Sequence, residues 1–260
     1  MLVFVLYLAF TVLTGTVMGK NRVMTWLCLE FCEESSTEIN IDLYEIDKHR
    51  DTLTAVSFEK YTLGSNGTLL DNHLTSVSDR IIAMGLEPWP LLSSFPHVPE
   101  FIDFMRDVFT HPQSFIDQCV REAKKYGYVG YNLDWEPTED CTEQDGLDYA
   151  AFIDTFAKEL HTQGLQLSVD YASWSPIWNL PAIADSAADA IISMSTYTST
   201  DSAFQSSLDK LVSTVDLQRA GVGLQTVNAS DGSRLSLDEV KWRFDLIKEA
   251  GVKSIALWRS

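Results

Sequence analysis

From Arg22 onward, short runs of β-branched and aromatic residues alternate with longer stretches in which apolar positions recur every three or four residues. The first pattern suits strands and the second amphipathic helices, so the chain reads as a succession of βα units. The strand-like runs fall at 23–28, 55–61, 87–92, 128–134, 166–172, 190–197, 221–224 and 254–258. Eight such runs predict an α/β fold of the (β/α)8 barrel type. The clearest helical patterns lie at 113–126, 149–163 and 237–250, each followed by a glycine (Gly127, Gly164, Gly251) suited to a helix end. Asp145 and Ser236 are the expected N-caps. The chain stops two residues after Trp258, so no eighth outer helix is expected. Either the N-terminal segment covers the seam between the last and first strands, or the barrel is truncated there.

The first 19 residues have a different pattern. Leu2 to Leu13 is apolar except for Thr11, and Val17-Met18-Gly19 supplies small residues at cleavage spacing. Residues 1–19 therefore read as a signal peptide, although no basic residue precedes the apolar run. An uncleaved anchor is the alternative; the run is short for a membrane span. No linker, low-complexity tract or repeat divides the remainder, so 20–260 is expected to be one barrel domain. The expected product is secreted or lumenal, not membrane-bound after cleavage, and monomeric. Two sequons, Asn66-Gly67-Thr68 and Asn228-Ala229-Ser230, suit a glycoprotein. Four cysteines, Cys28, Cys32, Cys119 and Cys141, permit three pairings in an oxidising compartment. The preferred pairing joins Cys28 to Cys32 and Cys119 to Cys141. A formal net charge of −18 argues against a nucleic-acid or anionic-membrane partner.

The chemistry concentrates in Gly130-Tyr131-Asn132-Leu133-Asp134-Trp135-Glu136-Pro137. Side chains alternate on a strand, so Asn132, Asp134 and Glu136 share one face while Tyr131, Leu133 and Trp135 share the other. One amide and two carboxylates on a single face are costly to bury without a use. Pro137 keeps Glu136 extended, at the C-terminal lip where barrels place their active sites. Other chemistries lack support. The sequence has no G-x-S-x-G elbow, H-E-x-x-H or P-loop; Gly221-Val222-Gly223 is a lone G-x-G, and the five histidines are scattered. No cofactor and no metal are expected.

This segment resembles the D-G-x-D-x-D-x-E signature of glycoside hydrolase family 18, the chitinases and endo-β-N-acetylglucosaminidases. The glycine, second aspartate and terminal glutamate match; Val129 and Asn132 stand where the family has aspartates. The N-x-D-x-E variant is similar to di-N-acetylchitobiase in that family. The resemblance runs through the helix leading into Gly130, to Tyr197 in Ser195-Thr196-Tyr197-Thr198 and to Trp258. It implies substrate-assisted, retaining hydrolysis, in which the sugar's own acetamide attacks the anomeric carbon. Glu136 would then be the general acid, with Asp134 orienting the acetamide and Asn132 bonding Asp134. Tyr197 would donate to the acetamide oxygen and Trp258 would stack under the ring.

Trp174 and Trp178, in the loop after the fifth predicted strand, are candidate sugar contacts or loop anchors. Asp170 and Tyr171 end that strand within reach of the site, and Tyr171 is retained as a substrate-binding candidate. Trp26 and Trp89 are expected to fill the core or the barrel mouth. Two further sites depart from the family. Ser93-Ser94-Phe95-Pro96 replaces a glycine turn, and Thr198 replaces the aspartate after the strand-six tyrosine. The expected substrates are β-linked N-acetylglucosamine glycosides, either chito-oligosaccharides or the N-glycan chitobiose core, with short or soluble glycans favoured over crystalline chitin. The rivals are a catalytically silent lectin for amino sugars and a barrel reused as an inhibitor or structural protein.

Overall fold

The computed structural model describes residues 21–73, 76–138, 140–228 and 230–258. The expected signal peptide and the middle residue of the second sequon lie outside them. The elements run β1 (Arg22–Leu27), α1 (Ser36–Lys48), β2 (Ala55–Gly64), β3 (Thr68–Asp71), α2 (Val77–Ala83), β4 (Glu87–Ser93), α3 (Phe101–Thr110), α4 (Gln113–Tyr126) and β5 (Gly130–Asp134). They continue α5 (Glu143–Thr162), β6 (Gln166–Tyr171), α6 (Leu180–Ala184), β7 (Ala190–Ser193), α7 (Asp201–Thr214), β8 (Ala220–Gln225), α8 (Leu237–Glu249) and β9 (Ser254–Trp258).

Eight of these strands pair in parallel in the order β1-β9-β8-β7-β6-β5-β4-β2, and β2 returns to β1, closing the barrel. The closing seam is a regular parallel ladder, Arg22 to Thr25 of β1 against Ser254 to Leu257 of β9. β3 is an addition outside the barrel, paired antiparallel to β2.

Every predicted strand corresponds to a barrel strand, with two shortened by two residues or more. The fourth begins at Gly130, and the sixth stops at Ser193. Beyond Ser193 the backbone turns, with Tyr197 N–H donating to the Met194 carbonyl and the Thr196 hydroxyl donating to the Ser193 carbonyl. The helix predicted at 149–163 starts earlier, at Glu143, because Thr142 is its N-cap and Asp145 is the third residue of a reciprocal capping box. Asp145 as N-cap is thus corrected. Ser236 caps α8 as expected. Gly146 hid that first turn, since glycine is a poor helix former. It is needed there because a Cβ would collide with the Pro176 carbonyl of the β6–α6 loop.

The expected Cys119–Cys141 bridge is also corrected. Cys28 is bonded to Cys32. Cys119 lies on the buried face of α4 under the barrel wall, while Cys141 is half-buried in the loop before α5, and the two form no disulfide.

Two apolar layers hold the barrel. Met24, Trp26, Ala55, Trp89, Leu91, Ile192 and Ala256 point inward and fill it, so Trp26 and Trp89 are the interior residues expected. The larger layer lies between strands and helices. Trp135 stacks on Phe152 at 5.3 Å between ring centroids and meets Phe115 edge-on at 5.5 Å. Among the described residues, no helix is long and apolar enough to cross a membrane.

Candidate active site

The segment after Leu133 is fixed by alternation. Trp135 is fully buried among Phe101, Phe115, Tyr149 and Phe152 on the helix side. Its neighbours Asp134 and Glu136 consequently face the barrel axis at the mouth. The ladder ends at Asp134, so Glu136 is two residues past the strand. There its backbone N–H donates to the Ser94 hydroxyl at 3.2 Å, tying the lip of β5 to the turn after β4. Gly130 starts the strand because a side chain there would collide with the Gln166 carbonyl on β6.

Both carboxylates open into a cavity of about 320 Å³ whose walls also include Glu59, Asp170, Tyr197, Gln225, Trp26 and Trp258. Asn132 is wholly buried below them. Its carbonyl oxygen accepts from the Trp26 indole at 2.6 Å and the Ser57 hydroxyl at 2.9 Å. Those two donors orient the Asn132 amide nitrogen toward the remaining polar groups. It lies beside Asp170, easing that group's ionisation, although no hydrogen bond of ordinary geometry joins them.

Four acidic groups thus face one cavity with few cations to compensate, and burial dominates their titration. Asp134 is pushed well above the usual carboxylate range, first by burial and then by the charges of Glu136, Asp170 and Glu59. Glu136 is raised by burial. Asp170, which is 1% exposed, is raised well above its ordinary value by burial and then by Glu136, against the help from Asn132. Neither Asp170 oxygen has a hydrogen-bond partner among the described residues. Glu59 is raised by burial even though backbone N–H groups stabilise its anion. The Tyr197 hydroxyl is raised by burial and by Asp170, Asp134 and Glu136, so it remains a donor.

Tyr197 reaches the cavity because residue 223 is glycine; a Cβ there would stand 3.0 Å from the Tyr197 hydroxyl. The second glycine of the lone G-x-G therefore makes room for a site residue. Trp258 ends β9 at the cavity wall, its ring 6.1 Å from that of Trp26 in an edge contact. Trp174 is 60% exposed at the rim.

Of the residues proposed from sequence, Asn132, Asp134, Glu136, Tyr197, Trp258 and Trp174 come together. Trp178 and Tyr171 do not reach the cavity. Trp178 is buried and supports Trp174 edge-on at 5.4 Å. Tyr171 is 1% exposed and points to the helix layer, because alternation turns it away when Asp170 faces inward. Thr198 does not line the cavity; its hydroxyl donates to the Thr200 carbonyl at 3.3 Å and its carbonyl accepts from the Arg243 guanidinium at 2.8 Å.

Phe95 of the turn that departs from the family pattern lines the cavity, and Glu59, Gln225, Met194, Phe31 and His97 line it without having been singled out. Only Glu59 had a readable signal, since Ala55, Ser57 and Glu59 share one face of a strand. Among the described residues, no group of three His, Cys, Asp or Glu side chains could hold a metal ion.

The fold and site define an α/β barrel with a carboxylate-rich mouth, and solved structures share that barrel. A chitinase from Chromobacterium violaceum superposes with a TM-score of 0.73 at 16% identity, covering 91% of this chain and 93% of its own. A spore cortex-lytic enzyme of Bacillus cereus gives 0.76 at 14% identity over 94% of this chain and 72% of that one. A class V chitinase from Pseudomonas fluorescens gives 0.72 at 15% identity, covering 92% and 95%. No family model matches the chain, and no curated protein matches it. At these identities the likeness is one of fold.

Proposed function

We propose that this chain is a secreted glycosidase that hydrolyses β-linked N-acetylglucosamine glycosides by a substrate-assisted, retaining mechanism. The observation that carries the reading is the pair of inward carboxylates, Asp134 and Glu136, both biased toward their protonated forms at the mouth of one cavity. The folds shared with chitinases and a cortex-lytic enzyme support the same class of substrate.

Glu136 hands its proton to the glycosidic oxygen as the bond to the anomeric carbon breaks. Burial and the neighbouring carboxylates disfavour the Asp134 anion, which favours an internal nucleophile. The 2-acetamido oxygen attacks the anomeric carbon, the acetamide N–H donates to an Asp134 oxygen, and the Tyr197 hydroxyl donates to the acetamide oxygen. Glu136, now a carboxylate, takes a proton from the water that opens the oxazolinium ring, and configuration is retained. Trp258 supplies an apolar wall for the sugar face. The bonded Cys28–Cys32 pair is in keeping with passage through an oxidising compartment.

The test is hydrolysis of fluorogenic N-acetyl-chito-oligosaccharides and of a chitobiose-core glycan, alongside the matching glucose oligomers. Cleavage restricted to acetamido sugars, with the β-anomer formed first, is expected. Cleavage of glucose oligomers at a similar rate would remove the acetamide from the mechanism. Binding of amino-sugar oligomers without turnover at any pH would make the chain a lectin.

A further inference from the structure

We propose that Glu59 is a positioning residue that, together with the Cys28–Cys32 bridge, clamps the turn carrying Phe31 so that Phe31, Phe95 and His97 form one aromatic wall against which a substrate sugar packs. One Glu59 oxygen accepts from the Leu29 N–H at 2.7 Å and from the Phe31 N–H at 3.0 Å. The Glu30 N–H also helps to stabilise this carboxylate, so three successive amides converge on one side chain. The same three residues lie inside the small loop closed by the disulfide.

The clamped turn carries a specific load. Leu29 is buried and anchors it, whereas Phe31 is half exposed and faces the cavity. Its ring meets Phe95 at 5.8 Å and His97 at 6.1 Å, and Phe95 meets His97 at 6.0 Å, all edge-on. An exposed phenylalanine on a free loop would lose packing and order. A turn fixed by a buried carboxylate and a covalent bridge pre-organises it instead. The partner ring, Phe95, stands in the segment that departs from the family's glycine turn, so this wall belongs to this chain's own residues.

The glycan part of the inference rests on the glycosidase reading; the clamp does not. Hydrogen exchange in the disulfide-intact protein, without substrate, reads the clamp. Glu59→Ala is expected to speed exchange of the Leu29 and Phe31 amides by at least about tenfold, while Glu59→Gln, which keeps an acceptor, restores most of the protection. Substrate affinity reads the wall. Phe31→Ala, a half-exposed change that leaves the barrel core intact, is expected to raise KM for N-acetyl-chito-oligosaccharides about three- to tenfold with kcat little altered. Glu59→Ala should raise KM similarly, and Glu59→Gln should recover it.

Unchanged amide exchange in Glu59→Ala would overturn the clamp even if hydrolysis is observed. Unchanged KM in Phe31→Ala would overturn the wall. A fall in kcat alone in Glu59→Gln would make Glu59 part of the chemistry and overturn its assignment as a positioning group. If the wild type turns over no glycan, titration of binding replaces KM. A clamp intact by exchange would then stand while the glycosidase reading falls.

Discussion

At the scale of single residues, Glu136→Gln keeps shape and removes the proton donor, so hydrolysis should drop by about 10²–10⁴-fold with oligosaccharide binding retained. Equal activity in wild type and variant would move the acid elsewhere. The raised titration of Glu136 sets the pH profile: the acid holds its proton beyond the ordinary glutamate range, and kcat/KM should decline as pH rises through that elevated value. A profile still flat well into the alkaline range would contradict it. Asp170 makes a stability prediction. Its folded-state pKa is raised, so the folded protein holds a proton the unfolded chain releases sooner, and stability falls as pH climbs from about 4 toward the raised value. Asp170→Asn should therefore raise the melting temperature near neutral pH by about 2–4 °C or more, with the gain vanishing near pH 4. Thermal unfolding across that pH range decides it; a loss of stability at neutral pH would mean the ionised group is compensated.

At the scale of elements, one carboxylate ties α3 to α5 beside the packing of Phe109 on Tyr149 and Phe152. Asp145 accepts from the Thr142 backbone N–H at 2.8 Å and from the Arg106 guanidinium at 2.8 and 2.9 Å. Arg106 holds Asp145 well below the usual carboxylate range, so its stabilisation is present above the unfolded-state pKa and lost as pH falls through the depressed value. Asp145→Asn should cost about 1–2 kcal/mol at neutral pH, and the difference from wild type should shrink in strong acid. Urea unfolding at both pH values measures this. Much of this element level was legible in sequence. The eight barrel strands announce themselves by apolar runs, and the inward trio by alternation. Less visible were the start of α5 at Glu143 and the end of β7 at Ser193: Gly146 interrupts the helical pattern because the Pro176 carbonyl leaves no room for a Cβ, and the chain turns after β7 where Thr196 donates to the Gly223 carbonyl.

At the scale of the whole molecule, the two remaining cysteines distinguish core from rim. In native protein with the Cys28–Cys32 bridge intact, Cys119 should resist alkylation until the barrel unfolds, because it is fully buried and its thiol is pushed well above its ordinary value. Mass spectrometry after labelling in native and denaturing buffer reads this directly. Rapid native labelling of Cys119 would require an open helix layer. The signal-peptide expectation is tested by N-terminal sequencing of protein recovered from culture medium, which should begin near residue 20. Protein retained in membranes with an intact N-terminus would favour the anchor.

Sequence alone determined what local pattern controls. Alternation set which of residues 131–136 face inward, Pro137 and the strand end set Glu136 at the lip, and regular apolar runs set the number of barrel strands. Tertiary structure decided what comes from converging strands. Glu59 became a site residue only when β2 curved around the cavity that Asp170 of β6 was expected to reach, and Tyr171 and Trp178 left the candidate set when packing turned them into the helix layer. The proton affinities of the four carboxylates belong to the same level, because burial and mutual repulsion exist only once the barrel closes.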